Sequence, residues 1–317
     1  MFEGRRMRFK DRNAWWFRLF RAVEMPFTRL FPDHPTVNWA ISQITYRVDS
    51  KAFANVKAPR RFSEYLMRDK LGPSGRDPLR AATTCKYSVK SHISAAIGEA
   101  YAVPTLALLK TEKELADFVF PTPCVVKPTH HSGEVIFLKD RQPTLIERKR
   151  MRRWLFLNYF YMSREPNYKP LAGMIIVEPF LTVDGKPPSD VKVFCFHGRP
   201  KFFQVDMDRQ GGHRRVFYDL DGEQLPLSRL YPVVEVPCAY RDRIAEITEI
   251  AAKLSAPFPF LSVDLYVLPD RIHVGEMSHF IGSCAVPFKP DAADEMIADL
   301  FNNPDAPITA ARLRSAA

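Results

Sequence analysis

The segment from residue 260 to residue 277, FLSVDLYVLPDRIHVGEM, limits the possible folds of this chain more than any other feature. Two apolar runs rich in β-branched residues flank Pro269-Asp270, and this combination predicts a β-hairpin. A two-residue loop would place Glu276 opposite Val263, among apolar neighbours, so the side chains favour a three-residue loop at positions 269–271. That register pairs Leu268 with Ile272, Tyr266 with Val274, and Asp264 with Glu276.

Asp264 and Glu276 are therefore expected to face each other on adjacent strands, where they repel unless a cation lies between them. Mg²⁺ suits such a site because it takes oxygen ligands from one or two carboxylates and shares the rest of its coordination with phosphates. The alternative is that one acid is solvated at a strand end while the other pairs with a lysine or arginine. The hairpin alone leaves both interpretations open.

The size and cysteine content of the chain narrow its class. Its 317 residues are enough for one large domain or two smaller ones. No run approaches the roughly 18 apolar residues of a transmembrane helix, and the N-terminus lacks the features of a secretory signal. The five cysteines are scattered and never form a CxxC motif, which favours free thiols in a reducing cytoplasm. Zinc is disfavoured because His130-His131 has no cysteine or histidine partners at ligand spacing.

The net charge of +10 is concentrated near the N-terminus, where residues 1–80 contain 17 basic and 8 acidic residues. Residues 1–31 also have apolar side chains at helical spacing, among them Trp16, Phe17 and Phe20. A basic arm of this kind can contact nucleic acid, an anionic membrane surface or an acidic polymer. The alternative is a docked helix whose aromatic face is part of the core.

The rest of the chain mixes predicted helices and strands without repeats. Residues 32–80 are punctuated by prolines and indicate an extended region that ends in a loop. A helix containing Lys86 is predicted after Thr83-Thr84, and another over residues 241–255. Besides the hairpin, strands are predicted at residues 105–109, 124–127, 134–138, 174–177, 191–196, 201–206 and 215–218. This α+β pattern, without GxGxxG or GxxxxGK[ST], argues against a Rossmann domain or a P-loop.

Several single positions carry candidate binding groups. Lys127 ends a strand before a turn that contains Gly133, where a lysine and backbone N–H groups can bind phosphate. Glu178 ends another strand and can accept hydrogen bonds from a ribose or an adenine amine. Asp190 and Lys192 share one strand face and form an ion pair in the simplest interpretation. Taken singly, each feature is also compatible with an ordinary surface charge.

The order of these residues resembles the TupA-like (teichuronopeptide biosynthesis) family of the ATP-grasp superfamily. The resemblance covers roughly residues 60–290 and rests on the segments RFSEYL, CKYSVKSHI, PCVVKPTHHSG, IIVEPFL, SDVKVFCFHGRP, VDMDR, PFLSVDLYV and HVGEMSHFIGS. It implies an α+β ATP-grasp fold in which two lobes with antiparallel sheets clamp ATP. The implied division is a basic helical arm with an extended region at 1–80, a first lobe with a lid at 81–178, a second lobe with the metal site at 179–303, and a flexible tail at 304–317.

The resemblance also implies site residues, position by position. Lys86 and Lys127 correspond to the two lysines that reach the nucleotide phosphates, and the turn Thr129–Gly133 corresponds to the lid. The segment Ile176–Leu181 corresponds to the inter-lobe segment along the adenine. The implied nucleotide contacts are Lys86, Lys127, His131, Ser132, Gly133, Glu178, Phe180 and Asp264. Lys192 and Arg209 correspond to basic residues that face the transferred phosphoryl group, and Asp264, Glu276 and Ser278 correspond to the Mg²⁺ ligands.

Two positions depart from the family pattern: Cys85 stands where many relatives have aspartate, and Ser278 stands where asparagine is common. The activity that the resemblance implies is that of an ADP-forming, ATP- and Mg²⁺-dependent carboxylate–amine ligase, acting through an acylphosphate in surface-polysaccharide or peptidyl-glycan assembly. The alternatives are a sugar or small-molecule kinase with the same nucleotide site, and a non-catalytic binder of an acidic polymer or nucleic acid. Nucleic acid is the less favoured partner because it leaves the order of acids and lysines unexplained. The expected location is the cytoplasm, with the basic arm at the inner face of the membrane.

Overall fold

The computed structural model of the protein describes residues 31–207 and 212–315. The helix expected at residues 1–31 lies outside them except for its last residue, and Arg209 lies outside them as well. Across the described ranges the chain is organised around two antiparallel sheets. No helix in this part of the chain is long and apolar enough to cross a membrane.

Short helices surround the sheets. In chain order the α-helices of the described residues are α1 (Pro35–Ser50), α2 (Phe62–Leu71), α3 (Pro78–Thr84), α4 (Val89–Ile97), α5 (Glu112–Asp117), α6 (Leu145–Trp154), α7 (Phe160–Ser163), α8 (Ile244–Ser255), α9 (Asp291–Asp299) and α10 (Ala310–Ser315). At the start of α5, Thr111 and Glu114 form a capping box in which each N–H group binds the other side chain at 3.1 Å.

The smaller sheet has four strands in the order β1-β4-β2-β3. They are β1 (Ala107–Leu109), β2 (Cys124–Pro128), β3 (Ile136–Leu138) and β4 (Ile175–Pro179). One face of this sheet is buried against Leu115 of α5 and Trp154 of α6. Because β2 and β4 are neighbours, Lys127 and Glu178 end up on adjacent strands.

The larger sheet has five strands in the order β7-β6-β5-β8-β9. They are β5 (Asp190–Phe196), β6 (Arg199–Met207), β7 (Arg214–Tyr218), β8 (Phe260–Val267) and β9 (Ile272–Ser278). Alternate residues of a strand point to opposite faces. Val193 therefore packs with Ile247 of α8 on one face, whereas Phe194 packs with Phe260 and other aromatic rings on the opposite face.

Both ends of the described chain differ from the prediction. Residues 32–80 are not an extended region, since they contain α1 and α2, and Tyr46 and Phe62 from these helices are buried in the aromatic core. Pro35 occupies the first turn of α1, where proline is tolerated, so it starts a helix instead of preventing one. The expected flexible tail is also wrong, because Ile308 and Leu313 are buried in the same core.

Lys86 was predicted to lie on a helix, and this prediction is wrong. Asp77 caps α3 by accepting a hydrogen bond from the Leu79 N–H at 2.8 Å, and that helix ends at Thr84. Lys86 belongs to the turn at residues 85–88, which precedes α4. Val89 of α4 packs in the core of the larger sheet, so this helix joins the second lobe and not the first lobe to which residues 81–178 were assigned.

The predicted hairpin forms between β8 and β9, but its loop has four residues, 268–271. Val267 pairs with Ile272, and the Leu268 N–H donates to the Arg271 carbonyl at 2.9 Å. The pairs predicted beside the loop are therefore wrong by one residue.

A β-bulge at Gly275 restores the register further along the hairpin. Leu265 pairs with Val274 and Asp264 pairs with Glu276, so Gly275 is the extra residue of β9. A Cβ atom at Gly275 would lie 2.8 Å from the Tyr266 ring, which explains why glycine occupies the bulge. The predicted pairing of Asp264 with Glu276 is therefore present.

Candidate functional site

Three charged side chains form a row across neighbouring strands of the larger sheet. Lys192 on β5 lies opposite Asp264 on β8, and Asp264 lies opposite Glu276 on β9. Directly opposed residues of an antiparallel pair share a face, so all three side chains point to the same side. Lys192 Nζ donates to Asp264 Oδ2, and Ser262 Oγ donates to Asp264 Oδ1 at 3.1 Å. Both carboxylate oxygens of Asp264 are thus held in place.

Glu276 is bound by Lys86 from the turn between α3 and α4. Lys86 Nζ lies 3.3 Å from Glu276 Oε1 and donates to the His131 carbonyl at 2.9 Å. The backbone N–H of Lys86 donates to the Thr129 carbonyl at 2.9 Å. Burial raises the pKa of Glu276, but Lys86 and the other nearby lysines outweigh burial and lower the pKa below its usual value. The carboxylate is therefore charged at neutral pH.

Glu178 on β4 is buried between two lysines. Lys90 Nζ, from α4, lies 2.7 Å from Glu178 Oε1, and Lys127 Nζ, from β2, lies 2.9 Å from Glu178 Oε2. Burial raises the pKa of Glu178, but the two ammonium groups outweigh it and the pKa is lowered. Lys90 also donates to the Val103 carbonyl at 2.6 Å and to Thr105 Oγ1 at 2.8 Å. An ammonium group has three N–H donors, so those of Lys90 are all used.

Lys127 connects the smaller sheet to the larger one. Its Nζ lies 5.8 Å from the centre of the Tyr266 ring, and Tyr266 lies on the same face of β8 as Asp264. Burial opposes the charged form of Lys127, but its interactions with Tyr266, Glu178 and Glu276 outweigh burial and raise its pKa. A lysine that stays charged in a buried position can neutralise a phosphate group.

The turn Thr129–Gly133 is only partly exposed. Its buried members are Thr129, His130 and His131. Burial lowers the pKa of His130 to about 4, so this side chain is neutral at pH 7. Gly133 has a φ of +77° and open space where a Cβ would lie. The accessible part of the turn is therefore its tip, Ser132-Gly133.

Ser278 and Phe180 occupy different surroundings. Ser278 lies two residues beyond Glu276 and opposite Ser262, so it shares the face of the charged row. The Phe180 ring packs against the Phe137 ring, with 5.7 Å between their centroids, and Lys139 Nζ lies 5.7 Å from the Phe180 centroid. Phe180 is therefore held by the β3 side of the smaller sheet.

The oxygen atoms of Asp264, Glu276 and Ser278 are the donor set available for a metal ion. Two carboxylates on one face fit Mg²⁺, which binds one or two carboxylates and keeps other positions for phosphates and water. In the part of the chain that the structure describes, no cluster of three or more His, Cys, Asp or Glu side chains could hold a metal ion. A cation here would thus rely on the two carboxylates and on oxygen atoms from its ligand.

A buried ion network continues the charged row on β6 and β7. Gln204 lies opposite Lys192 and donates to Asp206 Oδ2 at 2.9 Å. Asp206 Oδ1 also accepts from Arg215 Nε at 2.7 Å and lies 3.0 Å from His213 Nε2. The polar part of this sheet face therefore extends across all five strands.

A family model described as TupA-like ATPgrasp matches residues 65–302. The chain belongs to the TupA-like ATP-grasp family. Membership confirms the resemblance and the ATP-grasp fold expected from the sequence. No curated protein matches the sequence.

Solved structures with some similarity to this TupA-like protein are distant. The ATP-grasp ligase PsnB, in complex with a phosphomimetic variant of its minimal precursor, Mg and ADP, has 12% identity and a TM-score of 0.36 over 68% of this chain and 56% of its own. D-alanine–D-alanine ligase from Bacillus anthracis has 15% identity and a TM-score of 0.41 over 74% of this chain and 69% of its own. L-amino acid ligase from Bacillus licheniformis has 15% identity and a TM-score of 0.39 over 63% of this chain and 44% of its own. The chain thus spans little more than half the length of PsnB, and the family match carries the identification.

The structure of this TupA-like protein brings most of the predicted polar residues together. Those in direct contact with one another are Lys86, Lys127, His131, Glu178, Lys192, Asp264 and Glu276. Sequence reasoning missed Lys90 and Tyr266. Tyr266 follows Asp264 by two residues on the same strand face, a spacing that was available as a signal. No local spacing marks Lys90, because Lys86 lies in the turn before α4.

Proposed function

We propose that this TupA-like ATP-grasp protein is an ADP-forming carboxylate–amine ligase that acts through an acylphosphate. The observation that carries the proposal is the row of Lys192, Asp264 and Glu276, which Lys86 and Lys127 approach from outside the sheet. Phosphoryl transfer needs positioning and neutralisation of charge more than a protein nucleophile. Three lysines and two carboxylates in one cluster supply both.

In this proposal each side chain has a defined role. Lys86 and Lys127 neutralise the nucleotide phosphates, and the Ser132-Gly133 tip closes over them next to His131. Glu178 and Phe180 lie along the nucleoside. Asp264 and Glu276, with Ser278 beside them, would hold Mg²⁺, which would supply additional neutralisation of phosphate charge. Lys192, and Arg209 by resemblance, stabilise the charge of the transferred phosphoryl group.

The proposed reaction has two displacement steps. An oxygen of the substrate carboxylate attacks the γ-phosphorus of ATP, and the bond to the β-phosphate oxygen breaks to release ADP. The nitrogen of the amine then attacks the carbonyl carbon of the acylphosphate, inorganic phosphate leaves, and the amine gives up a proton as the amide forms. Lysines that remain charged beside the phosphates lower the barrier of the first step by offsetting the negative charge that develops there.

The substrates we propose are a carboxylate and an amine acceptor that belong to a surface polysaccharide or peptidyl glycan. This assignment rests on the resemblance to the teichuronopeptide-biosynthesis family and on the basic residues near the N-terminus, which suit anionic glycans. The same charge supports a location in the cytoplasm, at the inner face of the membrane where such polymers are assembled.

A screen of ATP consumption tests the proposal. The protein is incubated with Mg²⁺, ATP, amino acids and uronic-acid acceptors, and products are analysed by mass spectrometry. A ligase yields an amide together with ADP and free phosphate. A phosphorylated product without free phosphate would identify a kinase instead, and an absence of ATP consumption with every acceptor pair would count against both enzymes.

A further inference from the structure

Helix α1 buries its polar side and exposes its apolar side. Its buried residues are Asn38, Ser42, Gln43 and Tyr46. Gln43 binds the backbone of Ala54 twice, through Nε2 at 2.9 Å and Oε1 at 2.8 Å. The Tyr46 hydroxyl lies 3.1 Å from Ser63 Oγ. These hydrogen bonds hold α1 against the protein with its polar face inwards, which is the reverse of an ordinary surface helix.

The outer face of α1 carries large apolar side chains. Ile44 is 62% exposed and Val48 is 59% exposed, and Phe53 just beyond the helix is 59% exposed. Ile44 and Val48 are one helical turn apart and therefore adjacent. A single exposed apolar residue is unremarkable, but a cluster on one helix indicates a surface that binds a partner.

Basic side chains border this apolar surface. Arg47 lies with its guanidinium 4.8 Å from the centre of the Phe53 ring, and Lys51 follows the end of the helix, with the acid Asp49 between them in sequence. The sequence that precedes the helix is basic as well, since residues 1–30 contain eight basic and three acidic residues. Apolar side chains bordered by arginine and lysine are the chemical pattern of a helix that lies in the interface of an anionic bilayer.

We propose that the outer face of α1, defined by Ile44, Val48 and Phe53, docks on an anionic lipid bilayer. This inference deepens the membrane location given under Proposed function, and it does not depend on the reaction at the nucleotide site. The Phe53 ring and the aliphatic side chains enter the interfacial region of the bilayer, while Arg47 and Lys51 contact lipid phosphates. The proposed nucleotide site is thereby held at the membrane surface.

Other occupants fit this surface less well. A second copy of the chain would bring the same cations face to face, and three apolar side chains are far fewer than the roughly 20–30 residues that each partner contributes to a stable interface. An acidic polymer would pair with Arg47 and Lys51 but would leave the apolar side chains in water. A bilayer with anionic headgroups satisfies both the apolar and the charged groups.

Vesicle co-sedimentation tests the proposal with the full chain. The probes are vesicles of phosphatidylcholine alone and vesicles that contain phosphatidylglycerol. We expect binding to the anionic vesicles that weakens as salt rises, and a loss of about tenfold in the double variant Ile44→Ser/Val48→Ser, because less apolar surface enters the lipid. The matched control is Leu145→Ser/Ile146→Ser on α6, whose side chains are 86% and 81% exposed. This control is expected to bind as the unmodified protein does.

The outcomes separate the alternatives. Equal binding by the α1 variant and the unmodified protein, or an equal loss in the α6 control, overturns the proposal. So does a protein that binds polyglutamate but no vesicles, or a dimer in sedimentation velocity that the α1 substitutions abolish. Mg·ATP affinity is measured on the same preparations. Normal ATP affinity without vesicle binding rejects only the membrane site, whereas vesicle binding without ATP affinity rejects only the proposed ligase.

Discussion

On β5, Lys192 and Phe194 point to the same face of the larger sheet with one residue between them, yet their environments differ completely. Phe194 stacks on Phe202 with 4.6 Å between ring centroids, and Phe260 packs nearby at 6.2 Å. Lys192 instead forms an ion pair with Asp264 in the polar half of the same face. One half of the face is thus a core, and the other half is the polar surface that we propose binds the nucleotide.

Buried carboxylates show what separates the two halves. Asp294 on α9 lies against the aromatic half, where burial raises its pKa to about 6. Glu276 in the polar half is also strongly desolvated, yet Lys86 and other lysines lower its pKa. Between these two buried acids, the nearby lysines and not burial decide the direction in which the pKa moves. The polar half keeps Glu276 ionised, as a cation site requires.

The largest effect is expected from the aromatic half. Phe194→Ala removes a fully buried ring and leaves a cavity, so we expect the free energy of unfolding to fall by about 3–5 kcal/mol. Denaturant unfolding measures the loss. Phe156→Ala, at an exposed position, is the matched control and should change stability by less than about 0.5 kcal/mol. A loss below about 1 kcal/mol for Phe194→Ala would mean that the aromatic cluster does not anchor the sheet.

In the polar half, a substitution should affect turnover more than stability. Asp264→Asn keeps the size of the side chain and its hydrogen bond from Ser262, but it removes the charge that would hold Mg²⁺. We expect turnover to fall by a factor on the order of 10²–10³, as when one electrostatic contact to a transition state is lost. Steady-state kinetics at varied Mg²⁺ measures the change. Asp270→Asn in the exposed hairpin loop is the control, and equal turnover in both variants would refute the metal assignment.

The raised pKa of Asp294 should make the stability of the protein depend on pH. The pKa of Asp294 rises from 3.8 in the unfolded chain to about 6, so its contribution to stability is full below about pH 4 and is lost as pH rises through 6. The free energy of unfolding of the unmodified protein should therefore fall by about 1–3 kcal/mol between pH 4 and pH 7, and this fall should be absent in Asp294→Asn. Denaturant unfolding across this range measures it, with Glu295→Gln on the same helix as the control. An unchanged slope in Asp294→Asn would contradict the raised pKa.

The sequence was most informative where strand periodicity applies. The two-residue repeat of a β-strand, together with the cost of placing an acid among apolar side chains, was enough to predict that Asp264 pairs with Glu276. The loop length was wrong, however, and the pairing survives because the bulge at Gly275 compensates for the additional loop residue. An isolated glycine in a strand signals a bulge, but its compensating effect depends on the Tyr266 ring that packs over it.

Helices were harder to predict, for a different reason in each case. Helix α1 buries polar residues, which form hydrogen bonds with distant segments, and its apolar residues face away from the core. Apolar periodicity therefore does not predict this helix. Lys90 was missed because its role depends on how α4 packs against the larger sheet and reaches β4. Tertiary contacts of this kind cannot be read from local sequence.

The smallest effect is expected from Lys90, because it contacts Glu178 and not the row of Lys192, Asp264 and Glu276. Its three donors are committed to Glu178, Val103 and Thr105. Within the described residues the hydrogen bond of Lys127 goes to Glu178 alone, which leaves N–H groups for a phosphate. We infer that Lys90 is the permanent counterion of Glu178 and that Lys127 is the exchangeable one.

A comparison of Lys90→Met with Lys90→Met/Glu178→Gln measures this coupling. In Lys90→Met, Glu178 has Lys127 as its remaining partner and draws that ammonium away from phosphates, so affinity for tripolyphosphate by titration calorimetry should fall about tenfold. Removing the carboxylate as well, in Lys90→Met/Glu178→Gln, should restore the affinity, because Lys127 is released. Lys253→Met, which breaks an exposed pair with Glu249, is the matched control and should change nothing. A double variant as weak as Lys90→Met would show that Lys90 supports the local structure alone, since a structural defect cannot be repaired by deleting the charge of its partner.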